Sequence, residues 1–232
     1  MCGRFALSIP IEVIAELLRI GAFPLISPRF NIAPAQQVLA ARNGDAGREF
    51  TTFTWGLVPA WSKDPSAAPK MINARAETMF EKPAYRDPAA AQRCIIPADG
   101  FYEWDLRPEM NKHPWFIRRA DHQPMLFAGL YDTWHGPHGI LATCTVVTTA
   151  AGPPIADIHH RMPVILESGS VDEWLDPARR TRADLGHLLH AAPPNLIDAH
   201  PVSRRVNKVD NDTPVLVERV DPEPPEQPSL FG

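Results

Sequence analysis

The stretch CIIPADGFYEW, residues 94–104, holds two short β-strand patterns. Residues 94–97 are mainly apolar and residues 101–104 carry three aromatic side chains, both of which favour a pleated, half-buried backbone. Within the second run, Glu103 stands between Tyr102 and Trp104. Aromatic neighbours that exclude water would raise the pKa of this carboxyl and suit it to general acid or base catalysis. The alternative is that Glu103 lies on the solvent face of an edge strand.

β-strand patterns recur along the rest of the chain. Residues 38–41 and 49–55 flank the turn signal Asn43-Gly44 and predict a hairpin. An apolar stripe of helical spacing follows Ser8 and ends before Gly21, which predicts an amphipathic helix over residues 9–20. The other predicted strands are residues 115–118, 125–131, 141–149, 163–166 and 197–202, and the other predicted helices are residues 82–92, 170–175 and 182–190.

The order of these elements does not form a βαβ repeat. It predicts a single α+β domain with a curved, largely antiparallel, barrel-like sheet and flanking helices. We expect this domain to span residues 1–217 and a flexible, acidic, Pro-rich tail to span residues 218–232. With 232 residues, of which 44% are apolar and 22% charged, the composition is that of a globular protein and excludes a collagenous or disordered chain.

The net charge of -4 is unevenly distributed. The last 23 residues contain six acidic side chains and one arginine, so positions 1–209 keep 22 basic and 21 acidic residues, a net of +1. A nearly neutral body can still concentrate cations in one groove. The chain shows no signal peptide or membrane span, and its three cysteines form no CxxC pair, so we expect a soluble protein of a reducing compartment.

Cys2 has a chemistry that Cys94 and Cys144 lack. Removal of Met1 would leave an α-amine and a β-thiol on one residue, and the small side chain at position 2 permits that removal. An α-amine has a pKa of about 8, so it is neutral far more often than lysine at pH 7. It can form an imine with an aldehyde, and the thiol can then close a thiazolidine ring. The alternative is a small buried residue near the chain terminus.

Other polar residues stand in apolar surroundings. His159 is a second candidate proton carrier, although it could be a satisfied core histidine, and Asn73 could orient a substrate or simply cap a turn. Arg75 and Arg161 each follow one of these residues by two positions, so on extended backbone each shares a face with it and could hold a phosphate. Trp61 is a candidate platform for unstacked bases. No metal site or other cofactor is expected.

Nine motifs resemble the SOS response-associated peptidase (SRAP) family, in the family's order and from Cys2 to about Val217. They are MCGRF (1–5), NIAPAQ (31–36), WGLVPAW (55–61), INARAET (72–78), CIIPADGFYEW (94–104), FAGLYD (127–132), VVTTA (146–150), IHHRMPVIL (158–166) and HPVSRRVNKVDND (200–212). Members of this family covalently trap abasic sites in single-stranded DNA. The resemblance implies a DNA-repair enzyme that removes its own Met1, acts without a cofactor, and works as a monomer in the bacterial cytoplasm at the nucleoid.

The resemblance also implies roles for individual residues. Cys2, Asn73, Glu103 and His159 fall on the catalytic positions, where Cys2 links to DNA and Glu103 assists opening of the sugar to its aldehyde. Arg4, Arg75 and Arg161 are implied phosphate or DNA contacts, with Trp61 wedged near a single-strand to double-strand junction. His160 and Gly152 depart from common family residues at their positions.

Two other functions remain open. Glutamine amidotransferases with an N-terminal nucleophile also begin Met-Cys-Gly, but the segments that bind glutamine in that class are missing here. A noncatalytic reader of modified bases would use the same groove without needing the Cys2 thiol. Separately, the terminal QPSLF resembles a sliding-clamp docking peptide, with Gln227, Leu230 and Phe231 as its anchors; a disordered end is the alternative.

Overall fold

The computed structural model describes residues 2–66, 71–137 and 139–221. Within these ranges the strands are β1 (Phe5–Leu7), β2 (Arg29–Ile32), β3 (Gln37–Gly44), β4 (Gly47–Trp55), β5 (Asn73–Arg75), β6 (Arg93–Ala98), β7 (Gly100–Trp104), β8 (Pro114–Arg119), β9 (Met125–Gly136), β10 (Gly139–Ala150), β11 (Arg161–Pro163), β12 (Ile165–Leu166) and β13 (Ile197–Pro201). The α-helices are α1 (Ile11–Leu18), α2 (Arg86–Ala91), α3 (Val171–Leu175) and α4 (Arg182–Leu185).

Five strands close into a small barrel. Hydrogen-bonded neighbours run β10-β4-β3-β6-β9, and β9 pairs with β10 again to complete the ring. The pairing of β10 with β4 is parallel and the other four pairings are antiparallel. Closure leaves these strands without an exposed edge, and their inward side chains form the core. The predicted α+β class with a curved, largely antiparallel, barrel-like sheet is confirmed.

A second, five-stranded sheet packs beside the barrel in the order β13-β8-β7-β1-β2. Aromatic rings join the two layers: Phe5 of β1 contacts Trp55 edge-on at 5.2 Å between ring centroids, and Phe127 of β9 at 6.0 Å. Phe101 of β7 meets the same Phe127 ring at 6.0 Å. This shared aromatic cluster fixes where β1 and β7 cross the barrel, and therefore where their ends lie.

The long strand β10 leaves the barrel and carries two short strands at its far end. Residues 146–148 of β10 pair in parallel with β5, and residues 148–150 pair antiparallel with β11. Pairing with β10 therefore brings Asn73 on β5 and Arg161 on β11 to the same region, although they are distant in sequence. No helix in the described ranges is both long and apolar enough to span a membrane.

The predicted helices are present but shorter. α1 stops at Leu18 because Arg19 adopts a left-handed backbone with φ of 56°, so the reversal comes two residues before Gly21, which was the expected stop. α2 begins at Arg86 rather than at residue 82, because residues 82–85 form turns. α4 tightens into a 3₁₀ turn from Gly186–Leu188.

Gly100 has space for no larger residue. A Cβ placed there would collide with the carbonyl oxygen of Ile117 and lie 2.7 Å from the Phe116 ring. We expect Gly100→Ala to lower the free energy of unfolding by about 1–3 kcal/mol, because the β7–β8 pair must separate to admit the methyl group. Urea denaturation measures this change. The matched control is Gly21→Ala, where no atom lies within 4 Å; equal effects of the two substitutions would contradict the packing described.

Candidate functional site

Cys2 lies three residues before the start of β1 and is fully buried. β1 pairs antiparallel with β7, with Phe5 opposite Phe101, and the Tyr102 amide donates to the Arg4 carbonyl oxygen at 2.9 Å. Because the two strands run in opposite directions, the chain before Phe5 runs alongside Glu103 and Trp104. The register places Gly3 level with Glu103 and Cys2 level with Trp104, close enough for the Glu103 carboxylate to act on the Cys2 thiol.

Asn73 fixes the backbone of Cys2. Its Nδ2 donates to the Cys2 carbonyl oxygen at 2.8 Å. Its own backbone is held by β10, where Asn73 pairs with Val146. Oδ1 of Asn73 is buried and accepts no hydrogen bond from any residue in the described ranges. One end of this amide thus positions Cys2, and the other is available to accept a hydrogen bond from a substrate.

Glu103 and His159 face each other across the site. Oε1 of Glu103 lies 3.9 Å from Nδ1 of His159, and both side chains are buried. The loop that carries His159 is tied to the end of β7, because the Leu106 amide donates to the Ile158 carbonyl oxygen at 3.1 Å. The His160 ring stacks on the His159 ring at 4.3 Å.

Burial shifts the proton affinities of the three groups. It raises the pKa of Glu103 to about 7 and lowers the pKa of His159 to about 4. Burial, reinforced by the nearby Glu103 carboxylate, raises the pKa of the Cys2 thiol well above its usual value. At neutral pH the site therefore holds a carboxyl that is about half protonated, a neutral imidazole and a neutral thiol. A carboxyl acid beside a neutral base is an arrangement for moving protons.

The arginines predicted to contact DNA differ in exposure and in whether their side chains are already bonded to protein acceptors. The Arg4 guanidinium points inward, where Nη1 donates to Asn31 Oδ1 at 2.7 Å and to the Val206 carbonyl oxygen at 2.8 Å. Arg161 forms a two-pronged ion pair with Glu77. Arg75 is exposed on β5.

Trp61 is exposed over 64% of its surface. Its loop is nevertheless anchored, because the Ala60 amide donates to Asp132 Oδ2 at 2.8 Å and Trp134 Nε1 donates to the Ser62 carbonyl oxygen at 2.7 Å. A fixed, exposed indole is what base stacking requires. Trp55, at the other end of the same motif, is buried in the core.

Comparison with known families agrees with this geometry. The model of the family described as SOS response associated peptidase (SRAP) matches residues 1–209. The chain belongs to the SRAP family. Eight of the nine motifs, and the first ten residues of the ninth, lie within this family domain, which covers most of the chain.

Relatives and solved structures extend the match. Abasic site processing protein YoqW of Bacillus subtilis (strain 168) is 41% identical over 222 residues, covering 94% of this chain and 99% of the relative. Abasic site processing protein YedK of Escherichia coli (strain K12) is 32% identical over 228 residues, covering 95% and 100%. A crystal structure of a Bacteroides thetaiotaomicron protein superposes with a TM-score of 0.82 at 27% identity, covering 94% of this chain and 100% of that one.

Two residues that organise this SRAP site were not singled out from the sequence. Asn31 is fully buried, and its amide accepts from Arg4 while donating to three backbone carbonyl oxygens between Val206 and Asn211. Glu77 pairs with Arg161. Both lie in quoted motifs, NIAPAQ and INARAET, and an amide within an apolar strand was the available signal for Asn31.

Some of the residues predicted to act lie outside the described ranges. They are Met1 and the anchors Gln227, Leu230 and Phe231. Among the residues that the structure describes, no three His, Cys, Asp or Glu side chains are close enough together to hold a metal ion.

The raised pKa of Glu103 has a consequence for stability. The folded state binds this proton more tightly than the unfolded chain, so stability is lost as pH rises from the ordinary value of 4.5 through about 7. Glu103→Gln removes this loss. As pH rises from 5 to 8, we expect the free energy of unfolding of the variant to increase by about 2–3 kcal/mol relative to that of the parent.

Urea denaturation at the two pH values measures this gain. Glu81→Gln, at an exposed position, reports the effect of the same exchange away from the site. A Glu103→Gln difference from the parent that is the same at pH 5 and pH 8 would rule out a buried carboxyl with raised pKa.

Proposed function

We propose that this protein is a DNA-repair enzyme that traps abasic sites in single-stranded DNA as a thiazolidine on Cys2. The observation that carries the proposal is the placement of Cys2 near Glu103 and His159, with its carbonyl oxygen held by Asn73. Burial raises the pKa of Glu103 to about 7 and lowers the pKa of His159 to about 4, which suits them to acid and base roles. The names of the relatives, abasic site processing proteins from bacteria and animals, support the substrate.

The chemistry begins with loss of Met1 by hydrolysis of the Met1-Cys2 peptide bond, which the protein performs itself and which consumes one water. The abasic deoxyribose is mostly a closed hemiacetal, and protonated Glu103 assists its opening to the aldehyde. The freed α-amine of Cys2 adds to the aldehyde carbon, and one water leaves as the imine forms. The adduct is then covalent but still open to hydrolysis.

Ring closure withdraws the imine from hydrolysis. The Cys2 thiol adds its sulfur to the imine carbon, and its proton goes to the nitrogen, so no oxidant or further reactant is needed. Because burial disfavours the free thiolate, the proton must be carried by a neighbouring base. Neutral His159 is that carrier: Nδ1 takes up the proton and exchanges its hydrogen bond from the Arg161 amide for one to the Arg161 carbonyl oxygen. The Oδ1 of Asn73 orients the amine. Shielding the sugar this way prevents strand cleavage at the abasic site.

DNA reaches the site along cations and one aromatic platform. In this proposal the exposed Arg75 contacts a phosphate, whereas the guanidinium groups of Arg4 and Arg161 already hold protein acceptors. Trp61 stacks on a base at the junction with duplex. The acidic residues concentrated in the last 23 positions would be repelled by phosphate, so the tail stays clear of the bound DNA. In this proposal the tail carries Gln227, Leu230 and Phe231 to a sliding clamp.

The thiazolidine proposal is tested by mixing the protein with a single-stranded oligonucleotide that contains one abasic site. We expect a conjugate that survives denaturing electrophoresis with the parent protein and none with Cys2→Ala. Cys144→Ala is the matched control, since Cys144 is equally buried but lies inside the barrel, and it should retain the conjugate. Equal conjugate yield from Cys2→Ala, or no conjugate with the parent protein, would contradict the proposal, whereas full DNA binding and function of Cys2→Ser would favour a noncatalytic reader.

Trp61→Ala tests the base platform. Loss of one stacked base costs about 1–3 kcal/mol, so we expect the affinity for single-stranded DNA to fall about 5- to 150-fold. Fluorescence anisotropy with an abasic analogue that cannot open to an aldehyde measures the Kd without the covalent step. Leu25→Ala is the control, because Leu25 is 98% exposed and lies in the segment between α1 and β2. An unchanged Kd for Trp61→Ala would remove Trp61 from the DNA-binding surface.

A further inference from the structure

Glu77 and Arg161 form a two-pronged ion pair beside His159. Nη1 of Arg161 lies 2.6 Å from Oε1 of Glu77, and Nη2 lies 3.0 Å from Oε2. Nη2 also donates to the Thr148 carbonyl oxygen at 2.6 Å, and the Arg161 side chain is only 11% exposed. A guanidinium held by both carboxylate oxygens and a carbonyl has a fixed position.

Glu77 is itself supported from two directions. Arg182, the first residue of α4, donates through Nη1 to the Glu77 carbonyl oxygen at 2.6 Å. The neighbouring Ala76 amide donates to the Thr148 carbonyl oxygen at 2.9 Å. Glu77 therefore links α4 and β10 to the strand that begins at Arg161.

The backbone of Arg161 places both a hydrogen-bond donor and an acceptor next to Nδ1 of His159. Its amide N–H donates to His159 Nδ1 at 3.0 Å, which requires a lone pair on Nδ1. Its carbonyl oxygen lies 3.2 Å from the same Nδ1 and could accept from it only if Nδ1 carried the proton. The Arg161 backbone can therefore bond to either tautomer, and the balance between the two contacts depends on where Arg161 is held relative to His159.

We propose that Glu77 is a positioning residue: through Arg161, it holds neutral His159 with its proton on Nε2 and its lone pair on Nδ1. Nδ1 is the atom that lies 3.9 Å from Oε1 of Glu103. A lone pair there favours the protonated Glu103 carboxyl, whereas an N–H there would favour its carboxylate. Glu77 thereby keeps the acid in the form that opens the sugar. This role rests on the proposed function, but the tautomer itself does not.

Titratable and charged groups face the His159 ring from three elements. They are Glu103 from β7, the stacked His160 from the loop before β11, and Arg161 from β11; the positive charge of the amino terminus also lowers the pKa of His159. Glu77 is not one of these groups. It acts on His159 through Arg161.

The tautomer can be observed directly, without DNA. Proton–nitrogen correlation spectra of protein with labelled histidine rings show which nitrogen of His159 carries hydrogen, and His159→Gln assigns its signals. We expect Nε2–H in the parent protein and a mixture containing Nδ1–H in Glu77→Gln. At saturating abasic DNA we expect Glu77→Gln to form conjugate about tenfold more slowly, the effect of losing one hydrogen bond to a charged group. The midpoint of its rate profile should move to lower pH, because an Nδ1–H stabilises the Glu103 carboxylate.

The matched control is Glu49→Gln. Glu49 forms a similar ion pair with Arg42, at 3.0 and 2.9 Å, in the hairpin of β3 and β4, and its side chain is 46% exposed against 44% for Glu77. Glu49→Gln should leave the His159 tautomer, the rate of conjugate formation and the pH profile of that rate unchanged. Arg182→Met, which removes the support on the Glu77 carbonyl, should shift the tautomer in the same direction as Glu77→Gln and serves if that variant does not fold.

The proposal is overturned if Glu77→Gln keeps the parent tautomer, even if its DNA affinity rises because Arg161 is released. It is also overturned if Glu49→Gln changes the His159 signals equally. If no variant and no parent protein forms a conjugate, the proposed function fails while the tautomer result still decides the role of Glu77.

Discussion

The pairing of β1 with β7 determines where the site forms. It places Cys2, which lies before the first strand of the chain, in the interior beside Glu103. The hydrogen bonds from Tyr102 to the Arg4 carbonyl and from Asn73 to the Cys2 carbonyl hold that segment from two sides. Burial then raises the pKa of both Cys2 and Glu103. Without this pairing, Glu103 would be a solvated carboxylate at neutral pH and Cys2 a free terminal residue.

The barrel contributes the opposite wall through one strand. β10 is a barrel member along its first half and carries β5 and β11 along its second half. Asn73 and Arg161 are therefore attached to the most extensively paired part of the molecule, while Cys2 and Glu103 belong to the second sheet. The reacting groups are contributed by two layers, whose relative position is fixed by the aromatic contacts of Phe5, Phe101 and Phe127. Such preorganisation avoids reordering of the site during reaction.

The sequence predicted the class of fold and its strands well, because alternating and aromatic runs such as residues 101–104 determine extended backbone locally. It overestimated the helices: α1 ends where Arg19 adopts a left-handed backbone, and α2 begins four residues later than expected. The four catalytic candidates could be named from residue type and family resemblance. The contacts that surround these candidates could not be predicted. Glu77 and Arg161 are 84 positions apart, and Asn31 and Val206 are 175 apart. Periodicity and spacing carry no information about contacts that only the assembled sheets create.

Whether Cys2 reacts through both its amine and its thiol can be decided by intact mass spectrometry with and without single-stranded abasic DNA. We expect a free protein lacking Met1 and a conjugate equal to that protein plus the oligonucleotide minus one water. Resistance of the conjugate to borohydride would distinguish the closed ring from a reducible imine. A protein that retains Met1 and yet forms a conjugate, or a conjugate that gains the two hydrogens of imine reduction, would contradict the thiazolidine.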